Sequence, residues 1–336
     1  MAATSSEAPG RLEDCGAVGE HVETYHGGTV QVALAEGKGR VLVAARALDP
    51  GERALLEYPL VEVAADDTVA AYALLVRLRE EGSLEFAPLF YWAALCTLTA
   101  AEVAGALCPA WPSVPAQTQA HALELHAPEE ACRSASSSTA AVLAALWPPG
   151  AGPDPSRLER LLQVWIYNSF DQGAGDDALE AGVIYLAASM LSHSCAPNAA
   201  WHQDDANSFI LQARGPIADG EEITIPYLGP TDLCLPTPDR RRILSATKAF
   251  VCGCDRCAAP LDAARAFRCP RCASGTALAA SDERGAEQEP GRLECGTCGC
   301  LTKAEAEPLL TAEAALKAWA RALPEFHAEG EAEAEA

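Results

Sequence analysis

Positive charge is scarce in this chain: 24 Lys and Arg against 47 Asp and Glu leave a formal charge of −23 over 336 residues. Counterion release on a nucleic-acid backbone needs clustered cations, so direct nucleic-acid binding is not expected, and a basic peptide is the easier partner. Long apolar runs are missing as well, although 49% of the residues are hydrophobic. No stretch approaches the roughly 20 residues needed to cross a bilayer. Met1 to Asp14 has neither the basic start nor the apolar run of a signal peptide. The chain is therefore expected to be intracellular, cytoplasmic and/or nuclear, with no membrane partner. Its apolar content fills one large core, or a large and a small one.

Cysteine is what the sequence has in excess: 14 in all, eight of them crowded between Cys252 and Cys300. In a short secreted chain that would mean disulfides; in a long chain without an export signal, metal ligation is the better reading. Cys252, Cys254 and Cys257 form C-x-C-x2-C, and a tetrahedral thiolate site needs a fourth ligand from elsewhere. Cys195, in the compact phrase Ser192-His193-Ser194-Cys195-Ala196-Pro197-Asn198, is the natural candidate. Cys269, Cys272, Cys295 and Cys298 make two C-x2-C knuckles with the spacing of a zinc ribbon. Both sets close with four thiolates, so the two Zn2+ ions would be structural. Cys300 stands as either an alternative ligand or a bystander. Cys15, Cys96, Cys108, Cys132 and Cys234 have no neighbour at ligand spacing and read as small buried hydrophobes.

Along the chain, Thr29 to Glu62 alternates Val- and Leu-rich runs with breaks at Gly37-Gly39 and Asp49-Pro50-Gly51, which predicts strand, turn, strand, turn, strand. A similar phrase returns from Phe209 to Tyr227, where an Ala-Arg pair again precedes a turn ending in Gly-Glu, so a second hairpin of the same style is expected. The intervening stretch is Ala- and Leu-rich and reads as helical, with loops at the Ser134–Ser138 run and at Pro148–Pro155. Its last helix carries Leu158, Leu161, Leu162 and Trp165 at i, i+3, i+4 and i+7, with Ser156 as the expected cap. Leu316, Trp319, Ala320 and Leu323 repeat that spacing near the end and are expected to pack on the body. The Glu-Ala alternation from Glu325 to Ala336 reads as a solvated tail.

Taken in order, Gly37-Lys38-Gly39-Arg40, Asn168-Ser169-Phe170, the Ser192–Asn198 phrase, Glu221–Tyr227 and Phe250–Cys257 resemble the SET-domain protein-lysine methyltransferases. The likeness is closest to the SET and MYND domain family, in which a helical insertion splits the sheet, and it spans about Val30 to Cys257. It implies an α+β fold, mainly β with helical insertions. A SET domain over 28–228, split at about 67–168, would be followed by a post-SET zinc segment at 229–260, a ribbon-like segment at 261–302, and a C-terminal helix and acidic tail at 303–336. It also implies S-adenosyl-L-methionine as methyl donor and a lysine-bearing protein, histone or non-histone, as substrate. The backbone of Gly37, Lys38 and Gly39 would line the methionine end of the donor, with Asn168 on its amino group. Ser189, Leu191, Ser192 and His193 would border the adenosine, and Phe250 would stack on the adenine. Tyr227 falls at the family's catalytic tyrosine.

Three features depart from the family pattern. Ser192 stands where Asn is usual, Pro226 precedes the tyrosine in place of a small polar residue, and no MYND-type Cys/His array is visible before Cys195. Ser192 and Pro226 motivate a second reading, a catalytically weak relative that uses its pocket and zinc sites as an interaction scaffold. A nucleic-acid-reading ribbon is disfavoured because that segment is not basic overall and has few aromatics for base stacking.

Overall fold

The computed structural model describes residues 15–109, 111–171, 181–272, 274–281 and 292–334, with side chains as far as Trp319. The Met1–Asp14 segment and the last two residues of the acidic ending fall outside that range, as do the side chains of Ala320 and Leu323. Two compact units divide the chain. The first holds residues up to His193 together with Pro197–Ile225, and the second holds Ser194–Ala196 together with Pro226 onward.

In the first unit, α1 (Gly16–His26) leads into an antiparallel hairpin of β1 (Val30–Ala35) and β2 (Gly39–Ala44). Its turn places Gly37 at φ +72° and Gly39 at φ +78°, left-handed backbone that glycine adopts without strain. After β3 (Arg53–Glu57) and β4 (Val61–Ala64) come seven helices: α2 (Ala70–Glu80), α3 (Pro88–Cys96), α4 (Ala100–Val103), α5 (Ala116–Glu124), α6 (Glu129–Cys132), α7 (Ser137–Leu146) and α8 (Pro155–Asn168). The chain then returns to short strands: β5 (Phe170–Asp171), β6 (Ala181–Ile184), β7 (Ser192–His193), β8 (Ala199–Gln203), β9 (Phe209–Ala213) and β10 (Thr224–Ile225), with a 3-10 turn at Ala188–Met190. They assemble as β3-β9-β8, β4-β6-β5 and a parallel β7/β10 pair.

The expected second hairpin does not form. β9 pairs with β3 and β8, and β10 with β7, because the repeated Gly-Glu phrases bind each other instead. Leu48 and Ile217 exchange both backbone hydrogen bonds; Gly51 N donates to Ala213 O and Ala213 N to Glu52 O; Gly220 N donates to Ala44 O and Ala44 N to Glu221 O. Each loop closes on the strand end before the other, giving a local pseudo-twofold. Within each turn the glutamate caps its own loop, Glu52 accepting from Asp49 N and Glu221 from Ala218 N.

Most of the first unit's interior is one continuous apolar core. In α8, Leu158, Leu161, Leu162 and Trp165 are all buried, as their spacing requires. The cap is Asp154, not Ser156: its carboxylate accepts from Arg157 N at 2.9 Å, and Pro155 takes the first helical position, where its missing N–H costs nothing. The serine run is a helix start, with Ser136 Oγ accepting from Thr139 N to cap α7. Among the described residues, no helix is long and apolar enough to cross a membrane.

The second unit contains α9 (Pro230–Leu233), α10 (Thr237–Lys248) and α11 (Asp255–Ala258), then a four-stranded antiparallel meander of β11 (Leu261–Arg268), β12 (Thr276–Ala280), β13 (Leu293–Cys295) and β14 (Gly299–Cys300), and finally α12 (Lys303–Ala334). Ala306, Leu309 and Leu310 cover the small meander core, and Arg265–Glu313 and Arg271–Glu305 ion pairs fasten the first half of α12. Leu316 and Trp319 are 65% and 62% exposed, contrary to the expected packing: the stripe that covers the meander lies earlier in the helix, and the helix runs on past it. Asp154→Ala is expected to destabilise the protein by about 1 kcal/mol in chemical denaturation, whereas Ser156→Ala should change the midpoint little.

Candidate functional site

Cys195, Cys252, Cys254 and Cys257 converge within the second unit, their sulfurs all within 4.8 Å of one another; Cys269, Cys272, Cys295 and Cys298 do the same. Every cysteine is free of a disulfide. A tetrahedral zinc–thiolate site has sulfurs about 3.8 Å apart, set by bonds of about 2.3 Å, whereas a disulfide would bring them to about 2.0 Å. Cys195 Sγ lies 3.9 Å from Cys252 Sγ and 3.5 Å from Cys257 Sγ, Cys269 Sγ 3.5 Å from Cys298 Sγ, and Cys272 Sγ 3.7 Å from Cys295 Sγ. Both sets therefore fit a zinc ion.

Four thiolates, three of them buried, would carry more negative charge than one divalent cation cancels, and the chain supplies arginines to the first set. Arg240, fully buried, donates from Nη2 to Cys257 Sγ at 3.3 Å and to Thr237 Oγ1. Arg241 binds Cys252 O and Cys257 O, and Arg256 binds Cys195 O and Leu233 O. Sulfhydryl bonds from Cys195 and Cys252, and then the Arg240 guanidinium, draw the Cys257 thiol well below its ordinary pKa. In the second set, the Thr297 and Cys298 amides hold the Cys295 thiol down to about 6. Gly275 completes that set by having no side chain: a Cβ there would stand 2.6 Å from Cys295 Sγ and 2.9 Å from Cys272 Sγ. Cys300 lies outside both sets, exposed, with its sulfur 3.2 Å from Arg292 Nη2.

In the first unit, β7 and β10 bring Ser192 beside Thr224 and His193 beside Ile225 in parallel register. Asn198 fastens this pair. Its Oδ1 accepts from Thr224 N at 2.8 Å and its Nδ2 donates to Glu222 O at 2.9 Å, so the last residue of the Ser192–Asn198 phrase organises the site's backbone, a role its sequence position did not disclose. The glycine turn is tied to the segment just before that strand by Lys38 Nζ–Glu222, 2.7 Å. Being half exposed, that pair fixes direction more than it stabilises. A Cβ added at Gly37 or Gly39 would meet no heavy atom within 4 Å, so the turn presents its backbone to open space. β2 also packs on the 3-10 turn that holds Ser189, whose Oγ donates to Tyr185 O; Leu191 is buried and Ser192 half-buried.

Asn168 arrives from the helical insertion. Its Nδ2 donates to His126 O and Val164 O, both at 2.7 Å. The carbonyls just before His126 are gripped too: Arg40 donates to Glu124 O, and Arg160 to Leu123 O and Leu125 O. The end of α5 thus links Arg40, beside the glycine turn, to Asn168, with guanidinium groups meeting carbonyls that a helix C-terminus leaves free.

Tyr227 and Phe250 belong to the second unit and meet edge to face, ring centres 6.4 Å apart; Tyr227 is 39% exposed and Phe250 half-buried. Pro226 directly follows the two-residue β10 pairing, at a position where a missing N–H breaks no ladder bond.

Elemental analysis of the purified protein is expected to give two zinc ions per chain. Gly275→Ala should retain one, because its methyl group needs the space of two ligand sulfurs; two ions in that variant would show that the knuckle has room for it.

A model of the SET domain matches residues 39–228, more than half of the chain. Among curated proteins, SET domain-containing protein SmydA-8, isoform B, of Drosophila melanogaster is 34% identical over 97 residues, 28% of this chain and 21% of the relative. Protein-lysine N-trimethyltransferase SMYD5 of Danio rerio is 34% identical over 99 residues, 29% and 24% of the two chains. Histone-lysine N-methyltransferase SET5 of Eremothecium gossypii is 39% identical over 77 residues, 23% and 15%. The matches thus span a quarter or less of these relatives' own lengths. A solved structure described as the SET domain of LSMT bound to lysine and AdoHcy aligns with a TM-score of 0.39 at 12% identity, over 77% of this chain and 60% of that one. The glycine turn, the Ser192–Asn198 phrase and the strand it pairs with all fall in or directly beside the matched SET region, and the chain belongs to the SET domain family.

Proposed function

We propose that this protein is an S-adenosyl-L-methionine-dependent protein-lysine methyltransferase. The observation that carries the reading is the convergence, inside a SET domain, of an open glycine turn, the Ser189–His193 segment and the β10 strand that leads to Tyr227. The names of the Danio and Eremothecium relatives, both lysine methyltransferases, support it.

The methyl donor carries its own activation: its sulfonium releases the methyl carbon to the lysine Nζ lone pair as the S–C bond breaks, with no acid required. The protein's tasks are then alignment and charge. Gly37, Lys38 and Gly39 would approach the donor with backbone alone. Asn168 would meet its ammonium through Oδ1, since Nδ2 is already given to two carbonyls and an ammonium needs an acceptor. Phe250 would offer its ring to the adenine, and Ser189, Leu191, Ser192 and His193 would border the adenosine. A lysine amine with a solution pKa near 10.4 is only about 0.1% free base at neutral pH, and a dry channel raises that share by disfavouring the ammonium. Tyr227 Oη and nearby carbonyls would stabilise the cationic transition state. The zinc sets would act structurally, the first by fixing Cys195 two residues beyond His193. An acidic protein is suited to a basic, lysine-bearing peptide, and eight thiolates that must stay reduced to hold metal suit an intracellular location.

Calorimetry with S-adenosyl-L-methionine separates this reading from an inactive scaffold: micromolar binding is expected, and none would sink the enzyme. Tyr227→Phe keeps the ring and removes only the hydroxyl. It should keep its zinc and its donor affinity while turnover falls about 10²- to 10³-fold, the usual loss when one preorganised donor is removed. Unchanged turnover would take Tyr227 out of the mechanism.

A further inference from the structure

Two carboxylates in the first unit are almost fully buried, Glu57 at 4% exposure and Glu159 at 2%. They are held differently. Glu159, in α8, accepts from Ser136 N and Oγ, Thr139 Oγ1 and Gln163 Nε2, a set that joins α7 to α8 inside the helical insertion. Glu57, at the end of β3, takes three successive backbone amides: Leu186 N at 2.8 Å and Ala187 N at 2.7 Å on Oε1, and Ala188 N at 2.8 Å on Oε2.

Those amides open the 3-10 turn Ala188–Met190, where the first N–H groups have no partner within the turn. A turn usually solves this with a Ser, Thr, Asp or Asn at its cap. Here the cap position is Ala187, whose methyl can accept nothing. Glu57 therefore supplies the cap from another strand, about 130 residues earlier in sequence, and converging amides of this kind form a nest for an anion. Three bonds on one carboxylate fix the direction of three consecutive peptide planes. Burial opposes the charge and pushes the Glu57 carboxyl up to about 7 against the pull of the same amides. The residues that follow without interruption are Ser189, Met190, Leu191, Ser192 and His193.

We infer that Glu57 is a positioning residue for the methyl-donor site: its carboxylate caps the 186–188 turn and thereby sets the backbone of the Ser189–His193 segment that borders the donor. This rests on the methyltransferase reading above. It assigns Glu57 an effect on donor affinity beyond its effect on folding, and Glu159 provides the comparison, as an equally buried carboxylate nine residues up α8 from Asn168 that caps only helices.

The test uses the full chain as wild type, Glu57→Gln, Glu57→Asp and Glu159→Gln, with melting temperature, calorimetric affinity for S-adenosyl-L-methionine, steady-state kinetics and amide hydrogen exchange over 186–193. Gln offers one oxygen and turns an N–H2 toward the amides; Asp keeps the charge but falls short of the nest. Both Glu57 variants are expected to bind the donor about tenfold more weakly, in line with the loss of one buried hydrogen bond to a charged group. KM for the donor should rise in proportion, kcat at saturation should stay close to wild type, and amides 186–193 should exchange faster. Glu159→Gln should melt earlier yet keep wild-type donor affinity. If Glu57→Gln fails to fold, Glu57→Asp carries the same comparison. Wild-type affinity in a folded Glu57 variant overturns the inference, as does an equal loss in Glu159→Gln. A wild-type protein that binds no donor overturns the methyltransferase reading and this inference together, whereas donor binding unaffected by the Glu57 variants removes Glu57 alone.

Discussion

Four cysteine sulfurs brought together, three of them buried, are the constraint on which the Cys195–Cys257 part of the second unit is built. Leu228, Leu233, Ile243, Leu244 and Phe250 pack with these cysteines, and a four-thiolate cluster formed there on metal binding needs its charge met. In a chain of net charge −23, three arginines are gathered there. Arg240 contacts a ligand sulfur, while Arg241 and Arg256 hold the carbonyls of ligand residues. Outer-shell partners of this kind orient ligands before metal arrives and strengthen its binding afterwards. Cys195 follows His193 by two residues, so the cluster and the β7 strand adjoin in sequence.

The first unit fixes its irregular backbone with side chains. Its strands are short, several of only two residues, and sheets this small cannot hold loops in place by ladder bonds alone. Side chains that bind main chain take over. Asn198 clasps β10, Arg40 and Arg160 close the end of α5, Asn168 reaches His126 O, and Glu57 caps a turn that cannot cap itself. The resulting site is polar in its connections although most of the unit around it is apolar core.

How much of this the sequence disclosed depends on the range of the interaction. Local patterns were readable: the C-x2-C knuckles, the glycine turn at Gly37–Gly39 and the apolar stripe of α8 each sit within a few residues and answer to spacing. That Cys195 joins the first cysteine cluster was readable because the three-cysteine motif called for a fourth member and few candidates existed. Glu57 was not, since a glutamate in a strand gives no sign that the amides it will meet lie about 130 residues away. The parallel β7/β10 pair was missed for a related reason: the Gly-Glu phrases resemble hairpin turns locally, and only their mutual binding shows that they pair with each other. Asp154 outcompeted Ser156 as a cap because Pro155 sets the first helical position. At α12 the apolar spacing of Leu316 and Trp319 signals a helix face without saying whether anything lies opposite it.

The reciprocal closure of the Leu48 and Ile217 loops has a thermodynamic consequence for everything threaded between them. All seven helices of the insertion lie inside the chain loop that this contact closes. The entropy of closing a flexible loop rises only with the logarithm of its length, so doubling the enclosed chain adds about 0.6 kcal/mol. The clasp is therefore nearly indifferent to how many residues it encloses. A fold fastened this way can lengthen, shorten or exchange the helices it encloses while the strands at the clasp stay closed.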